Sequence, residues 1–241
     1  MKRICELIAE IRSRYPKDHF FSDFEQSCRI SSAKKAHYQA YDRALMMMDT
    51  VSWNILKHKA SQHYCDHRKG QRKQGFFNQL NEAFAYRYLV GKGFDDVRFI
   101  PEDKKRRPDI GFTCNGIAMY CEVKSLGISN DEIFRRSTIT AYDCGVYASL
   151  DGGFLKKFRD AVNTANQQIN ALGSEGLVYV VVRFDDIALD NHQIYRRQLI
   201  EVSAKHGFNN LFIKIGVLGN KRICITNGST RMASSFASGH R

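Results

Sequence analysis

Apolar residues recur along the chain with two different periods, and the change from one to the other predicts the order of helices and strands. A spacing of three and four residues indicates a helix, whereas a short β-branched run indicates a strand. Helices are predicted for 2–15, 33–55, 76–90, 154–172 and 191–206, and strands for 97–100, 177–184, 211–218 and 222–226. The run 177–184 (LVYVVVRF) is apolar at nearly every position, which is typical of a strand buried on both faces.

A β-hairpin is predicted around Asn115–Gly116, between two further apolar stretches. Asn-Gly is the preferred pair for a type I′ turn because both central residues need a positive φ angle. If these residues form the turn, Cys114 faces Ile117, and counting outward places Asp109 opposite Glu122. Directly opposed residues of an antiparallel pair project to the same side of the sheet, with Cβ atoms about 5 Å apart. The hairpin is therefore expected to bring two carboxylates together.

These opposed carboxylates indicate a metal site. Left unpaired they would repel each other, which is unfavourable in a purely structural sheet. Mg²⁺ would remove the repulsion, because it is commonly held by one or two carboxylates with water and phosphate. Lys124 projects to the same side as Glu122, since side chains alternate along a strand. Its ammonium suits holding a water or balancing charge on a phosphoryl group better than acting as a free base. The alternative is an edge hairpin with a solvated charged face.

Pro108-Asp109, the hairpin and Glu122-Val123-Lys124 together resemble the signature of the PD-(D/E)xK nuclease superfamily, which has the restriction-endonuclease-like fold. The resemblance implies a metal-dependent phosphodiesterase. Asp109 and Glu122 would bind the metal, helped by the backbone carbonyl of Val123, and Lys124 would assist the attacking water. It also implies Mg²⁺ as the cofactor, with Mn²⁺ able to substitute, and endonuclease action on DNA rather than RNA.

Two supporting residues follow from the same resemblance. In this family an acidic residue on the helix before the hairpin often completes the metal site, and Glu82 is the only acid on the helix 76–90. Glu102, in the following loop, is a weaker substitute. The family also frequently places a polar residue of the next helix beside the active site, and Gln168 is the candidate. The alternatives are an exposed glutamate at Glu82 and an ordinary boundary glutamine at Gln168.

The resemblance covers roughly 76–218 and implies an α/β fold. Its αβββαβ core would contain a central mixed sheet flanked by helices, with an N-terminal helical region added. The expected division is 1–70 for that helical region, 71–226 for the nuclease-like domain and 227–241 for a flexible tail. The segment 125–153 mixes small residues with arginines and tyrosines, and no element is predicted for most of it.

Charge and composition narrow the class of partner. The chain has a formal net charge of +12 with Lys and Arg spread along its length, which suits a polyanion such as nucleic acid. Seven cysteines without a CxxC pair argue against a disulfide framework and against a ribbon-type zinc site. No signal peptide or transmembrane-length apolar run occurs, so a cytoplasmic protein without a membrane partner is expected.

Three alternatives to a DNA nuclease remain open at this point. The chain could be a nucleic-acid-binding module that keeps the fold and basic surface but does not cut. It could instead be an RNA-directed nuclease, because no base-reading feature favours DNA. It could also be an assembly protein, since the N-terminal helices are candidates for the interface of a homodimer.

Overall fold

A computed structural model describes residues 1–67, 72–101, 107–127, 134, 138, 148–173, 175–183, 191–219 and 222–225. Glu102, most of the segment 125–153 and the predicted tail 227–241 lie outside these residues.

The described residues form a mixed α/β structure in which one six-stranded sheet is flanked by helices. Strand order follows the sequence; β3, β4 and β5 are parallel to one another, and the other neighbouring pairs are antiparallel. The helices are α1 (Lys2–Arg14), α2 (Phe24–Ile30), α3 (Ser32–Leu45), α4 (Thr50–Gln62), α5 (Gln74–Gly91), α6 (Gly152–Asn170) and α7 (His192–Lys205). The strands are β1 (Asp95–Phe99), β2 (Ile110–Cys114), β3 (Ile117–Leu126), β4 (Gly176–Val182), β5 (Leu211–Ile215) and β6 (Arg222–Ile225).

The predicted hairpin is confirmed in both its turn and its register. Asn115 and Gly116 have φ angles of 51° and 77°, as a type I′ turn requires. Cys114 pairs with Ile117, and the ladder runs out to Ile110 opposite Cys121. One further step outward along the same register relates Asp109 to Glu122, so the turn sequence fixes which side chains meet at the far end of the hairpin.

The predicted two-sided burial of β4 is also confirmed. Leu177, Tyr179 and Val181 belong to the hydrophobic cluster on the α5 side of the sheet. Val178 and its alternate neighbours belong to the cluster formed with α6 and α7 on the other side. Because successive side chains of a strand point to opposite faces, this single strand joins the two layers of the core.

The predicted helix 33–55 is wrong, because two helices occupy this stretch. α3 ends at Leu45 and α4 begins at Thr50. Asp49 adopts an extended conformation as the N-cap of α4, and its carboxylate accepts a hydrogen bond from the backbone N–H of Ser52 at 2.9 Å. The same carboxylate accepts a hydrogen bond from the Tyr86 hydroxyl on α5. Capping by Asp49 therefore fixes the start of α4 as a separate helix.

The N-terminal helices share their hydrophobic cluster with α5 and one face of the sheet. Leu7 of α1 and Leu56 of α4 are completely buried in that cluster, as is Leu80 of α5. The expected boundary near residue 70 falls at 68–71, outside the described residues. Within the described ranges, no helix has both the length and the apolar character needed to cross a membrane.

Asp49→Ala is expected to lower the free energy of unfolding by about 1–2 kcal/mol, because it removes the α4 cap and the contact with Tyr86. Asp23→Ala is the matched control, since Asp23 is the N-cap of α2 but its side chain makes no capping hydrogen bond. Urea unfolding of both variants measures the difference. Equal losses would show that the Asp49 cap contributes nothing specific.

Candidate active site

The five side chains predicted to act together meet at one place in the fold. They come from α5, from the residue directly before β2, from β3 and from α6. Lys59 contacts two of them, Lys124 contacts two others, and the backbone N–H of Val123 links Asp109 to the strand that carries Glu122 and Lys124; the five are Glu82, Asp109, Glu122, Lys124 and Gln168.

Lys124 forms the half of the site on the α6 side of the sheet. Its ammonium donates to Glu122 Oε1 at 2.6 Å and to Gln168 Oε1 at 2.8 Å. Gln168 can reach the strand because Ala165 and Ile169 are buried and hold α6 against the sheet. Gln168 is therefore a partner of Lys124 rather than only a residue at the edge of an apolar stripe.

Asp109 is anchored to the edge of β3. Its Oδ2 accepts a hydrogen bond from the backbone N–H of Val123 at 2.9 Å, and its backbone carbonyl accepts one from Ile100 at 2.9 Å. In an antiparallel ladder the N–H and C=O of one residue point to the same neighbour. The Val123 carbonyl is consequently directed to the edge of β3 at which Asp109 lies.

Glu82 lies in the interior, in contrast to the alternative of an exposed glutamate. Only 6% of its surface is exposed. Both of its carboxylate oxygens accept hydrogen bonds from the Lys59 ammonium, at 3.1 and 2.8 Å. Lys59 also donates to Asp109 Oδ1 at 3.3 Å, so one cation connects α4, α5 and the start of β2.

Lys59 is the residue of this site that sequence analysis missed. It is 3% exposed and lies on the buried side of α4 with Leu56 and Ala60. A lysine three residues after one core position and directly before another was the available signal, because a fully buried lysine normally needs a partner. The identity of that partner could not be found locally, since Glu82 and Asp109 are distant in the chain.

Burial and mutual repulsion shift the protonation of the two glutamates. Burial, reinforced by Asp109, raises the pKa of Glu82 well above its ordinary value against the opposing effect of Lys59. Burial followed by the charge of Asp109 raises the pKa of Glu122 to about 7, although Lys124 opposes the shift. Near neutral pH the site therefore contains more carboxylate groups than its two ammonium groups can keep fully ionised.

The site combines a buried part with a part that solvent can reach. The side chains of Asp109 and Lys124 are 17% and 22% exposed, whereas those of Glu82 and Glu122 are 7% and 5% exposed. Glu122 Oε2 is buried and has no hydrogen-bond partner among the described residues. A carboxylate oxygen in that state can accept a proton, a water or a cation.

The donor set fits Mg²⁺ through two carboxylates and a backbone carbonyl. Asp109, Glu122 and the Val123 carbonyl are hard oxygen donors at one edge of β3, and Mg²⁺ completes its coordination with water and phosphate. Within the described residues, no group of three or more His, Cys, Asp or Glu side chains is arranged to hold a metal ion. Both oxygens of Glu82 contact the Lys59 ammonium, so a cation held by Glu82 would share that carboxylate with Lys59.

A chain of hydrogen bonds next to the site fixes α5 relative to β3. The Arg183 guanidinium donates to the Tyr41 hydroxyl at 2.6 Å, and that hydroxyl donates to Asn81 Oδ1 at 2.9 Å. The Asn81 amide then donates to Ser125 Oγ at 2.9 Å. Because Asn81 precedes Glu82 and Ser125 follows Lys124, this network sets the distance between the elements that carry the two halves of the site.

Lys59→Met is expected to destabilise the protein by about 3–5 kcal/mol at pH 7, because it leaves two carboxylates without their buried cation. Lys57→Met, on the same helix, removes partly exposed ion pairs with Glu6 and Glu10 and is expected to cost about 0–1 kcal/mol. Urea unfolding compares the two variants. Adding Glu82→Gln to Lys59→Met should recover part of the loss, and no recovery would contradict the proposed role of Lys59 as counter-ion.

The raised pKa of Glu122 makes stability depend on pH in a defined direction. The folded state retains a proton that the unfolded state releases near pH 4.5, so this contribution to stability is present below pH 4.5 and is lost as pH rises through about 7. In EDTA, the stability of the wild type relative to Glu122→Gln should fall by on the order of 2 kcal/mol between pH 4.5 and pH 8. Urea unfolding checks this, with Glu201→Gln at an exposed position as control. A constant difference across this range would contradict the shift.

Comparison of the chain with protein-family models, with curated proteins and with solved structures gave no match. The chemistry of the site is therefore inferred from its own residues. Two carboxylates, Asp109 and Glu122, lie at the edge of β3; Lys124 contacts Glu122 and Gln168, and a second lysine contacts Asp109.

Proposed function

We propose that this chain is a Mg²⁺-dependent nuclease that hydrolyses phosphodiester bonds in DNA, acting as an endonuclease. The observation that carries the proposal is the convergence of Asp109, Glu122 and Lys124 at the end of a hairpin, with Glu82 and Gln168 brought in from two helices. A solvated edge hairpin would not need these contacts, since it would leave its charges in water.

The proposed family is the PD-(D/E)xK superfamily, and the proposed core is the restriction-endonuclease-like αβββαβ arrangement. The order α5, β1, β2, β3, α6, β4 supports this assignment. So does the mixed sheet, in which the antiparallel strands β1 to β3 precede a parallel pair formed by β3 and β4 across α6. Asp109 directly precedes the second strand of that order, and Glu122 and Lys124 lie on the third.

In the proposed mechanism Asp109, Glu122 and the Val123 carbonyl hold the cation. The bound cation would polarise a phosphoryl oxygen and lower the pKa of a bound water. Glu122 must release its proton to act as a ligand, so a raised pKa makes cation binding stronger as the pH increases through neutrality. In this proposal Glu82 acts through Lys59, because it fixes the ammonium that contacts Asp109.

Lys124 has a positioning and electrostatic role in this proposal. Its ammonium donates to Glu122 and Gln168, so its third N–H group points in a defined direction. A fixed cation stabilises negative charge that develops on the phosphoryl oxygens, and it can also hold the attacking water by a hydrogen bond. Gln168 acts through Lys124 by keeping that ammonium in place.

A non-cutting nucleic-acid-binding module is the second candidate, and one observation favours it. The Lys59 ammonium already neutralises part of the charge of Glu82 and Asp109 without any metal. A site whose charge is balanced in this way does not need a bound metal ion to hold the fold together. In either case the net charge of +12 suits a phosphate-bearing polymer, and DNA is preferred over RNA only because of the family resemblance.

Cleavage of circular double-stranded and single-stranded DNA is expected with Mg²⁺ or Mn²⁺ and not in EDTA. Asp109→Asn and Lys124→Ala should each reduce the rate by about 100-fold or more, since each removes a charged group from the reacting centre. Circular substrates report endonuclease action directly.

Lys205→Ala and Glu201→Gln are matched controls, because both change exposed residues of α7, a helix that carries none of the site residues, and both should retain full activity. Cleavage that persists in EDTA or in Lys124→Ala would contradict the proposed centre. Absence of cleavage of both DNA and RNA, together with binding that added metal does not change, would favour the non-cutting module.

A further inference from the structure

A second concave site lies between α3, the C-terminal half of α5 and the strands β4 to β6. The cavity has a volume of about 550 Å³, within the range of roughly 300–1,000 Å³ that is typical of ligand pockets. Its lining does not include Asp109, Glu122, Lys124 or Gln168. The proposed nuclease function therefore leaves this cavity unexplained.

The lining of this cavity is positively charged. Among the described residues the lining contains five cations, contributed by α3, α5 and its C-terminal end, β5 and β6, and no acidic side chain; the cations are Arg43, Arg87, Lys92, Lys214 and Arg222. No ion pair involves Arg43, Arg87 or Arg222 within the part of the chain that the structure describes. The three arginines repel one another, so an anion that binds among them gains from all three.

Lys214 shows that this charge extends into the cavity wall. Its ammonium lies 5.1 Å from the centre of the Phe84 ring and donates to the Gly219 carbonyl at 3.3 Å. Burial, and then the charge of Arg87, lower the pKa of Lys214 from its ordinary value. No carboxylate in the lining offsets these effects, so the ammonium is fixed in an environment that favours an incoming anion.

Aromatic rings form the apolar part of the same cavity. Tyr88 and Phe212 have ring centroids 4.1 Å apart, and Phe212 stacks on Tyr179 at 4.9 Å. Phe84 adds a fourth ring to the lining. Phe84, Tyr179 and Phe212 are buried, whereas Tyr88 is only partly buried and offers the surface against which a flat aromatic group such as a nucleobase can pack. The exposed arginines have the planar donor geometry that matches phosphate.

We propose that this cavity binds a nucleotide unit, with its phosphate on Arg87 of α5 and Arg222 of β6 and its base against the exposed part of the Tyr88 ring. The unit can come from a free nucleotide or from a nucleic-acid strand, since both present the same phosphate and base. The proposal does not depend on catalysis at the carboxylate site, because the two sites share no side chain named in either role.

Isothermal titration calorimetry in EDTA at low salt tests this proposal with ADP, inorganic pyrophosphate and a short single-stranded oligonucleotide. ADP should bind with one site per chain and more tightly than pyrophosphate, because only ADP has a base. Arg87→Gln with Arg222→Gln should weaken ADP binding by about tenfold or more, since two charged hydrogen-bond donors are removed. Both arginines are exposed, so the double variant is expected to fold.

Arg196→Gln with Arg197→Gln is the matched control, because it makes the same charge change at exposed positions of α7 that do not line the cavity. It should retain the ADP affinity to within about twofold. Oligonucleotide binding that displaces ADP and is weakened by Arg87→Gln with Arg222→Gln would support the proposal and identify the strand as the source of the unit.

Three results would overturn the proposal: no ADP or oligonucleotide binding that depends on Arg87 and Arg222, an equal loss in the control variant, or pyrophosphate binding as tight as ADP binding. Asp109→Asn separates this site from the candidate active site. It should leave ADP binding unchanged in EDTA, whether or not it abolishes cleavage.

Discussion

The burial of carboxylates close to one another is the constraint on which the rest of this site depends. Burial raises the pKa of Glu82 and of Glu122, and the charge of Asp109 adds to this effect in both. Two ammonium groups offset it from different sides: Lys59 below Glu82 and Asp109, and Lys124 beside Glu122. Because Lys59 comes from α4, the charge balance of the site requires the N-terminal helices to be in place. Those helices are thus part of the electrostatic structure of the site, in addition to covering the core.

The helix that carries Lys59 is held by contacts with α1 that are independent of the site. Glu6 accepts hydrogen bonds from the Trp53 indole at 3.2 Å and from Lys57 at 2.8 Å, and the Ser61 hydroxyl donates to Glu10 at 2.7 Å. These contacts lie on both sides of Lys59 along α4. They fix the rotation of the helix about its axis, and a fixed rotation is what directs a long, flexible lysine toward two carboxylates instead of toward solvent.

The features that depend only on residues close together in the sequence could be predicted from it. The Asn115–Gly116 turn fixes the hairpin register, so the relation between Asp109 and Glu122 followed from counting residues. The break between α3 and α4 was missed because the apolar spacing continues through it, while the capping by Asp49 also depends on Tyr86 from a distant helix. The role of Lys59 was missed for the same reason. A buried charge is intelligible only with its partner, and here the partner is remote in sequence.

Helix α5 connects the two sites and gives them opposite charge. Glu82 and Arg87 are separated by five residues, or about 8 Å along the axis, so one rigid element carries a buried acid of the first site and an exposed base of the second. Under the proposed function, the carboxylates would repel phosphate until a cation is held between them, whereas the arginines attract it directly. Affinity and chemistry would then reside at different positions along α5. Their separation explains how a site with several acidic groups can belong to a chain whose overall charge suits nucleic acid.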